Sequence, residues 1–399
     1  MRSKAWSTTA VFGPPSLWIT LNPSDQDPIA QVIAGTDIDL DDFDATAGPT
    51  AEQRAQNVAS DPFASAKSFH FIINTILDVV FGIRRTPAGI ERRQGVFGTV
   101  RAYIGTVEAQ GRGTLHLHML LWLKDAPTPS VMQAALQEQR FRQRVTDFIK
   151  ATIHADIDGK NTDAVLQIPK RQAVSYSRPV NPSTSETGIR NEENALARTL
   201  QFHRCSLTTC LRHVNGRLEC KRKAPFALSP EEWVNMEGEW GPKRMCANLN
   251  NWNPWIMHCI RANHDAKLIV NGAETCALLL YVTNYAFKKQ NRSSNTSALL
   301  ADRLAFHQTK ESDNDPENDE ELKQYNKRLL QRCTNALITQ REFSGPEIMA
   351  YLMGWGDRFE SHIYVPFYMD SAIGALKRAF PSILQQYVFL NSRNSISTQ

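Results

Sequence analysis

The ten residues from Thr114 to Leu123 constrain this chain more than any others: Thr-Leu-His-Leu-His-Met-Leu-Leu-Trp-Leu, entered through a Gly111-Arg112-Gly113 turn. A run so apolar and so β-compatible reads as a buried strand. Side chains alternate along a strand, so His116 and His118 leave one face while Leu115, Leu117 and Met119 leave the other. Buried imidazoles need partners, because an unpaired polar group is costly away from water. Two arrangements meet that need. The pair are core histidines bonded to backbone or carboxylates, or they are neutral nitrogen ligands to a divalent metal.

The segment before them bears on the choice. Gly98 to Gln110 (GTVRAYIGTVEAQ) reads as a second strand, joined to the first as a hairpin. Glu108 and Gln110 stand two apart near its end, so they share a face and offer oxygen donors beside the histidines. Two histidines with one or two oxygens leave open positions for a substrate. That donor set suits a catalytic metal better than a closed structural one.

A chain of 399 residues with 42% apolar content can build a large core in one decorated domain or in two or three domains. A net charge of +4 permits a nucleic-acid partner without requiring one. No apolar run reaches membrane-spanning length, and the opening MRSKAWSTTA lacks a signal-peptide core, so no membrane association is expected. Seven cysteines without a secretory signal point to a reducing compartment and favour metal binding over disulfides.

Taken in order, Ser16 to Asn22 reads as a short strand and residues 31–62 as a polar, acidic surface excursion. Phe69 to Phe81 carries an apolar stripe at helical spacing. Thr128 and Pro129 form an N-cap and first-turn pair, opening a helix to about Ile153 with Leu136, Phe141, Val145, Phe148 and Ile149 on its buried side. Residues 157–200 look irregular. Then come His203, Cys205, Cys210, His213 and Cys220, followed by the basic run Lys221-Arg222-Lys223. Cys205, Cys210, His213 and Cys220 are the simplest tetrahedral set for a structural Zn²⁺; free thiols in a reduced protein are the other reading. A zinc loop would hold the basic run ready for phosphates.

Beyond Asn253-Pro254-Trp255 and Arg261 to Asp265, the stretch Glu274 to Lys289 reads as a helix. Tyr281 and Tyr285 lie four apart on one face, with Lys288 and Lys289 one turn further on. Such a pair serves packing, or, beside a metal-bound phosphate, nucleophilic attack with a lysine to steady the developing charge. Residues 311–322 form an acidic linker, helices are expected near Leu322 to Leu337 and Pro346 to Met353, and the tail from Asn391 is polar. The expected fold class is α+β: a central antiparallel sheet carrying His116 and His118, flanking helices, a Cys/His-rich zinc-loop insertion and a helical C-terminal subdomain. The divisions fall at 1–65 (strand and acidic excursion), 66–156 (the histidine core), 157–250 (insertion), 251–295 (tyrosine helix) and 296–399 (linker and C-terminal subdomain).

In their shared order, these motifs resemble the Rep-type endonuclease of Helitron transposons, within the HUH superfamily of rolling-circle nucleases and nearest its fungal members. The resemblance runs from Gly13-Pro14-Pro15 and Asn22-Pro23 through Gly105 to Gln110, His116, His118, Trp122, the Cys/His segment, Asn253-Pro254-Trp255 and the tyrosine pair. Arg341 to Trp355 with Ser361-His362 is similar to the region that follows the nuclease core. It implies that His116 and His118 bind Mg²⁺ or Mn²⁺ with Gln110, or secondarily Glu108, as third ligand. It also implies that Tyr281 and Tyr285 are paired nucleophiles, with Lys288 three residues after the second. Asn284 stands where members often carry a lysine. The implied activity is cleavage and transfer of single-stranded DNA at transposon ends through a 5′-phosphotyrosine, with Lys221, Arg222, Lys223 and Lys289 as DNA contacts and the nucleus as the place of action. Members usually continue into a helicase. No G-x-x-x-x-G-K-[ST] stretch occurs here, so no nucleotide hydrolysis is expected, and a helicase would act in trans or be encoded downstream. Two other functions fit the same residues: a remnant that binds DNA without cutting it, and a Cys/His-rich adaptor in which the histidines are structural.

Overall fold

A computed structural model describes residues 2–24, 26–109, 113–170, 185–207, 210–270, 296–310, 319–339, 343–365 and 368–380. The chain divides into two compact units, Met1–Ser361 and His362–Gln399. The first is built around a five-stranded antiparallel sheet. Its strands are β1 (Leu17–Leu21), β4 (Val100–Ala109), β5 (Leu115–Leu123), β10 (His264–Leu268) and β11 (Arg358–Glu360), in the order β10-β1-β5-β4-β11. The α+β expectation holds, and the sheet gathers strands from both ends of the unit.

The strand alternation decides the two faces. Leu115, Leu117, Met119 and Leu121 of β5 join Leu17, Ile19 and Leu21 of β1 in the main core. They pack against Phe69, Ile72, Ile73 and Ile76, the apolar stripe expected over 69–81. That stripe belongs to α5 (Pro62–Thr75), capped by Asp61, which accepts from the Ala64 N–H, with Pro62 in the first turn. The helix loosens into a π-helical turn over Ile76–Val80. Gly105 lets β4 cross this core closely: a Cβ there would stand 2.9 Å from Leu117 Cδ1 and 3.0 Å from Met119 Cε.

Several expectations need correction. Residues 31–62 are not a mere excursion; α3 (Phe43–Ala47) and α4 (Ala51–Ala59) follow α2 (Pro28–Ile33), and Phe43, Ala47 and Val58 are buried. A reciprocal capping box between Thr50 and Gln53 starts α4. The helix expected from Thr128 breaks into α6 (Pro129–Leu136) and α7 (Gln139–Thr152), and the Thr128 side chain makes no capping bond. Residues 157–200 are not irregular throughout: α8 (Thr162–Gln167) and α9 (Glu186–Leu200) form there. They contribute Val165, Leu196 and Ala197 to a second small core with Cys246, Leu249, Trp252 and Met257.

The insertion continues through two short hairpins, β6 (Leu211–Val214) with β7 (Arg217–Cys220) and β8 (Trp233–Val234) with β9 (Trp240–Gly241). Asn253 then caps α10 (Pro254–Ile260) by accepting from the Ile256 N–H. Arg261, at φ 43°, turns the chain back into β10. The remaining elements are β2 (Ile83–Thr86), β3 (Gly89–Arg92), α1 (Arg2–Phe12), α11 (Thr296–Lys310), α12 (Asp319–Thr339) and α13 (Gly345–Leu352). Helix α13 packs on α5, and β11 completes the sheet, so residues 345–360 belong to the same unit as the histidine strand. The second unit is described through α14 (Met369–Ala379).

Candidate metal centre

The face of the sheet opposite the main core carries the candidate site. Register pairs Glu108 of β4 with His116 of β5, and Thr106 with His118. On the other side, Thr20 of β1 pairs with both His118 and Asp265 of β10. Arg358 of β11 pairs with Thr106. Directly paired residues share a face, so Asp265, Thr20, His118, Thr106 and Arg358 form one row across the sheet, with Glu108 and His116 in the adjoining row. Further along this face Leu120 and Trp122 are buried. There α1 is tied down: Lys4 pairs with Glu360 at 2.7 Å, and Trp122 Nε1 donates to Gly13 O at 2.8 Å.

Glu108, His116 and His118 offer three ligand atoms that all lie within 4.8 Å of one another. Glu108 Oε2 stands 3.3 Å from His116 Nε2 and 3.6 Å from His118 Nε2, and the two Nε2 atoms are 3.1 Å apart. Glu108 Oε2 is nevertheless a buried oxygen without a properly formed hydrogen bond. The two Nε2 atoms can share one hydrogen bond, but Glu108 Oε2 is left without one, and three ligand atoms converging on one point fit a cation better than a fully hydrogen-bonded core cluster. The protonation states agree. Burial pushes the Glu108 carboxyl up, but the two imidazoles facing it outweigh burial and leave it at about 2. Burial lowers the His118 imidazole, with Glu108 partly opposing. A carboxylate and a neutral imidazole are the ligand-competent forms.

His118 is held from β1: Thr20 Oγ1 lies 3.0 Å from its Nδ1, and the Trp18 ring stacks on it at 5.3 Å between centroids. Sequence reasoning took β1 as a sheet strand only; the alternation Trp18-x-Thr20 becomes informative once its pairing with β5 is known. Of the two expected oxygen donors, Glu108 reaches the histidines, while Gln110 lies outside the described residues. So do Tyr281, Tyr285, Lys288 and Lys289 and the helix expected over 274–289.

The second cluster forms, with one correction. Cys205, Cys210 and Cys220 come together with His203, not with His213. The β6–β7 hairpin explains why. Cys220 pairs with Leu211 at the hairpin base, whereas His213 pairs with Leu218 next to the Asn215-Gly216 turn, about 7 Å up the strand at ~3.4 Å per residue, and is exposed. His203 Nε2 lies 3.2 Å from Cys220 Sγ and 3.5 Å from Cys205 Sγ. The cysteines are free. Burial pushes the Cys220 thiol up, but backbone N–H groups of Ala224 and Arg222 and the neighbouring thiols bring it below the ordinary value. Burial and the other two thiols push Cys205 up, to about 11. A Cys₃His set with N–H groups aimed at sulfur is compatible with a structural zinc. The exposed run Lys221-Arg222-Lys223 follows directly, and the Lys221 N–H donates to Cys210 O at 2.8 Å.

Fold and site together define an α+β sheet protein with a candidate His₂Glu metal centre and a separate Cys₃His cluster. Residues 1–121 of this chain match the family model described as the Helitron helicase-like domain at the N-terminus. The matched span includes Thr20, Glu108, His116 and His118 and ends within β5; β10, β11 and the Cys₃His cluster lie beyond it. No curated protein matches the chain. Among the described residues, no helix is long and apolar enough to cross a membrane.

Proposed function

We propose that this chain is a metal-dependent single-stranded DNA endonuclease and strand transferase of Helitron transposition, of the HUH type, acting in the nucleus. The convergence of Glu108, His116 and His118 within a domain of Helitron similarity carries the reading. Mg²⁺ or Mn²⁺ held by these three residues would supply Lewis-acid polarisation of a phosphoryl oxygen. The hydroxyl of Tyr281 or Tyr285 attacks phosphorus; the new tyrosine O–P bond forms as the P–O3′ bond breaks. The product is a 5′-phosphotyrosine, and the phenolic proton passes to the departing 3′ oxygen. Lys288 steadies the negative charge that develops on the phenolic oxygen as its proton leaves. Because the phosphotyrosine conserves the phosphodiester's free energy, the transfer itself needs no nucleotide hydrolysis.

Arg358, exposed on the same sheet face two strands from His118 and about 10 Å away at ordinary strand spacing, supports a phosphate contact for the single-stranded DNA. Zn²⁺ in the Cys₃His cluster holds Lys221, Arg222 and Lys223 in place as phosphate contacts. Asn284, in place of a lysine, favours the one other reading worth keeping, a chain that binds DNA without cutting it.

Incubation with labelled single-stranded oligonucleotides and Mn²⁺, resolved on a denaturing gel, separates the two. A covalent adduct that disappears on chelation and in the Tyr281→Phe/Tyr285→Phe double variant is the expected result. Binding without any adduct, by folded and metal-loaded protein, would leave only the DNA-binding reading.

A further inference from the structure

We infer that Thr20 is a positioning residue for the metal centre, accepting a hydrogen bond from His118 Nδ1–H so that His118 Nε2 is always presented as a bare lone pair. The inference deepens the metal-nuclease reading but does not depend on catalysis. Two observations carry it.

The first is the contact itself. Thr20 Oγ1 lies 3.0 Å from His118 Nδ1 across the β1–β5 pair, and Trp18, two residues earlier on the same face, stacks on the His118 ring at an interplanar angle of 18°. A hydrogen bond at one ring nitrogen decides which form the other nitrogen takes, and a stacked ring cannot swing away to choose another partner.

The second is an orphan on the neighbouring ligand. His116 Nδ1 is buried and has no hydrogen-bond partner among the described residues, while the two Nε2 atoms face each other at 3.1 Å. One proton lies between those two nitrogens when both rings are neutral. If His118 carries it on Nε2, then His116 Nε2 must accept, and His116 Nδ1 becomes a buried N–H with nothing to receive it. If His116 carries it, the orphan at Nδ1 is only an acceptor, and the His118 proton sits on Nδ1, pointing at Thr20. Buried unsatisfied donors are rarer in folded proteins than buried unsatisfied acceptors. The second arrangement therefore prevails, and Thr20 is the group that makes it possible. It leaves the two histidines unequal: His118 is preset from β1, and only His116 must move its proton from Nε2 to Nδ1 when a cation enters.

Histidine-selective ¹⁵N labelling and two-dimensional NMR on the metal-free protein read the tautomer directly. His118→Gln assigns its signals, and Mn²⁺ titration calorimetry follows on the same samples. In the wild type, His118 should show a protonated Nδ1 and a bare Nε2. Thr20→Val should lose that fixed tautomer and weaken Mn²⁺ binding by roughly 10- to 100-fold, the range for removing the outer partner of a metal-ligating histidine. Thr20→Ser, which keeps the hydroxyl, should restore both. A wild-type His118 carrying its proton on Nε2 would overturn the inference even if Thr20→Val failed to fold. So would a folded Thr20→Val with unchanged tautomer and unchanged Mn²⁺ affinity. Should the wild type show the expected tautomer but take up no Mn²⁺, the metal-nuclease reading and Thr20's role toward a metal both fail, and only its hydrogen bond to His118 stands.

Discussion

Glu108 shows how a single side chain can be read from its surroundings. Its carboxyl is held at about 2, so it stays ionised throughout the range in which histidines titrate. Glu108→Gln should therefore weaken Mn²⁺ binding across about pH 5 to 8 and, by removing the carboxylate that partly opposes the lowering of His118, move the midpoint of its pH dependence to lower pH. Calorimetric titration across that range checks it. A residue of the opposite kind is Glu192, buried against Arg261 where α9 meets the turn into β10. Removing it takes the carboxylate of a buried ion pair away from the guanidinium, so Glu192→Ala should lower stability by up to about 3–5 kcal/mol in chemical unfolding, with no direct part in metal binding. His116 and His118 were legible from spacing alone, because strand alternation needs no tertiary information, whereas spacing left Glu108 and Gln110 side by side as oxygen donors. Thr20 was not, since its value rests on which strand lies beside which.

At the scale of elements, the β4–β5 hairpin declared itself through its Gly-rich turn and apolar runs, and α5 through its stripe. The helices of residues 31–62 did not because they are short, and α9 did not because its buried side includes Glu192 and Arg198 beside Leu196 and Ala197 and so reads as polar chain. Their caps, Thr50-x-x-Gln53 and Ser185, were the usable signal. The Cys/His insertion was recognised, but its histidine was misassigned, since spacing does not reveal that a hairpin carries His213 away from its base. That correction is testable. Metal analysis of the purified protein should find His203→Ala depleted of zinc and His213→Ala still carrying about one ion per chain. Loss of zinc in the second variant alone would reverse the assignment.

The whole molecule should be acid-sensitive for reasons unrelated to the metal centre. Burial holds His70, between α5 and the Trp355 and Phe359 rings, at about 4, and burial does the same to His264 at the start of β10. Both folded values lie below the ordinary 6.5. The unfolded chain therefore binds more protons between about 4 and 6.5, and stability is lost as pH falls through that window. Thermal unfolding of the metal-free protein should drop steadily from pH 6.5 to 4, and His70→Phe should flatten the decline. A slope identical to wild type would show that His70 is already protonated in the fold.

Titrating Mn²⁺ into zinc-replete protein, wild type beside His116→Ala, His118→Ala and Glu108→Ala, tests the central claim most directly, that these three residues act as one divalent-metal site. The account predicts one Mn²⁺ per wild-type chain, with binding lost in both histidine variants and weakened in the third. Binding unchanged in the folded variants, or no binding by the folded wild type, would contradict it.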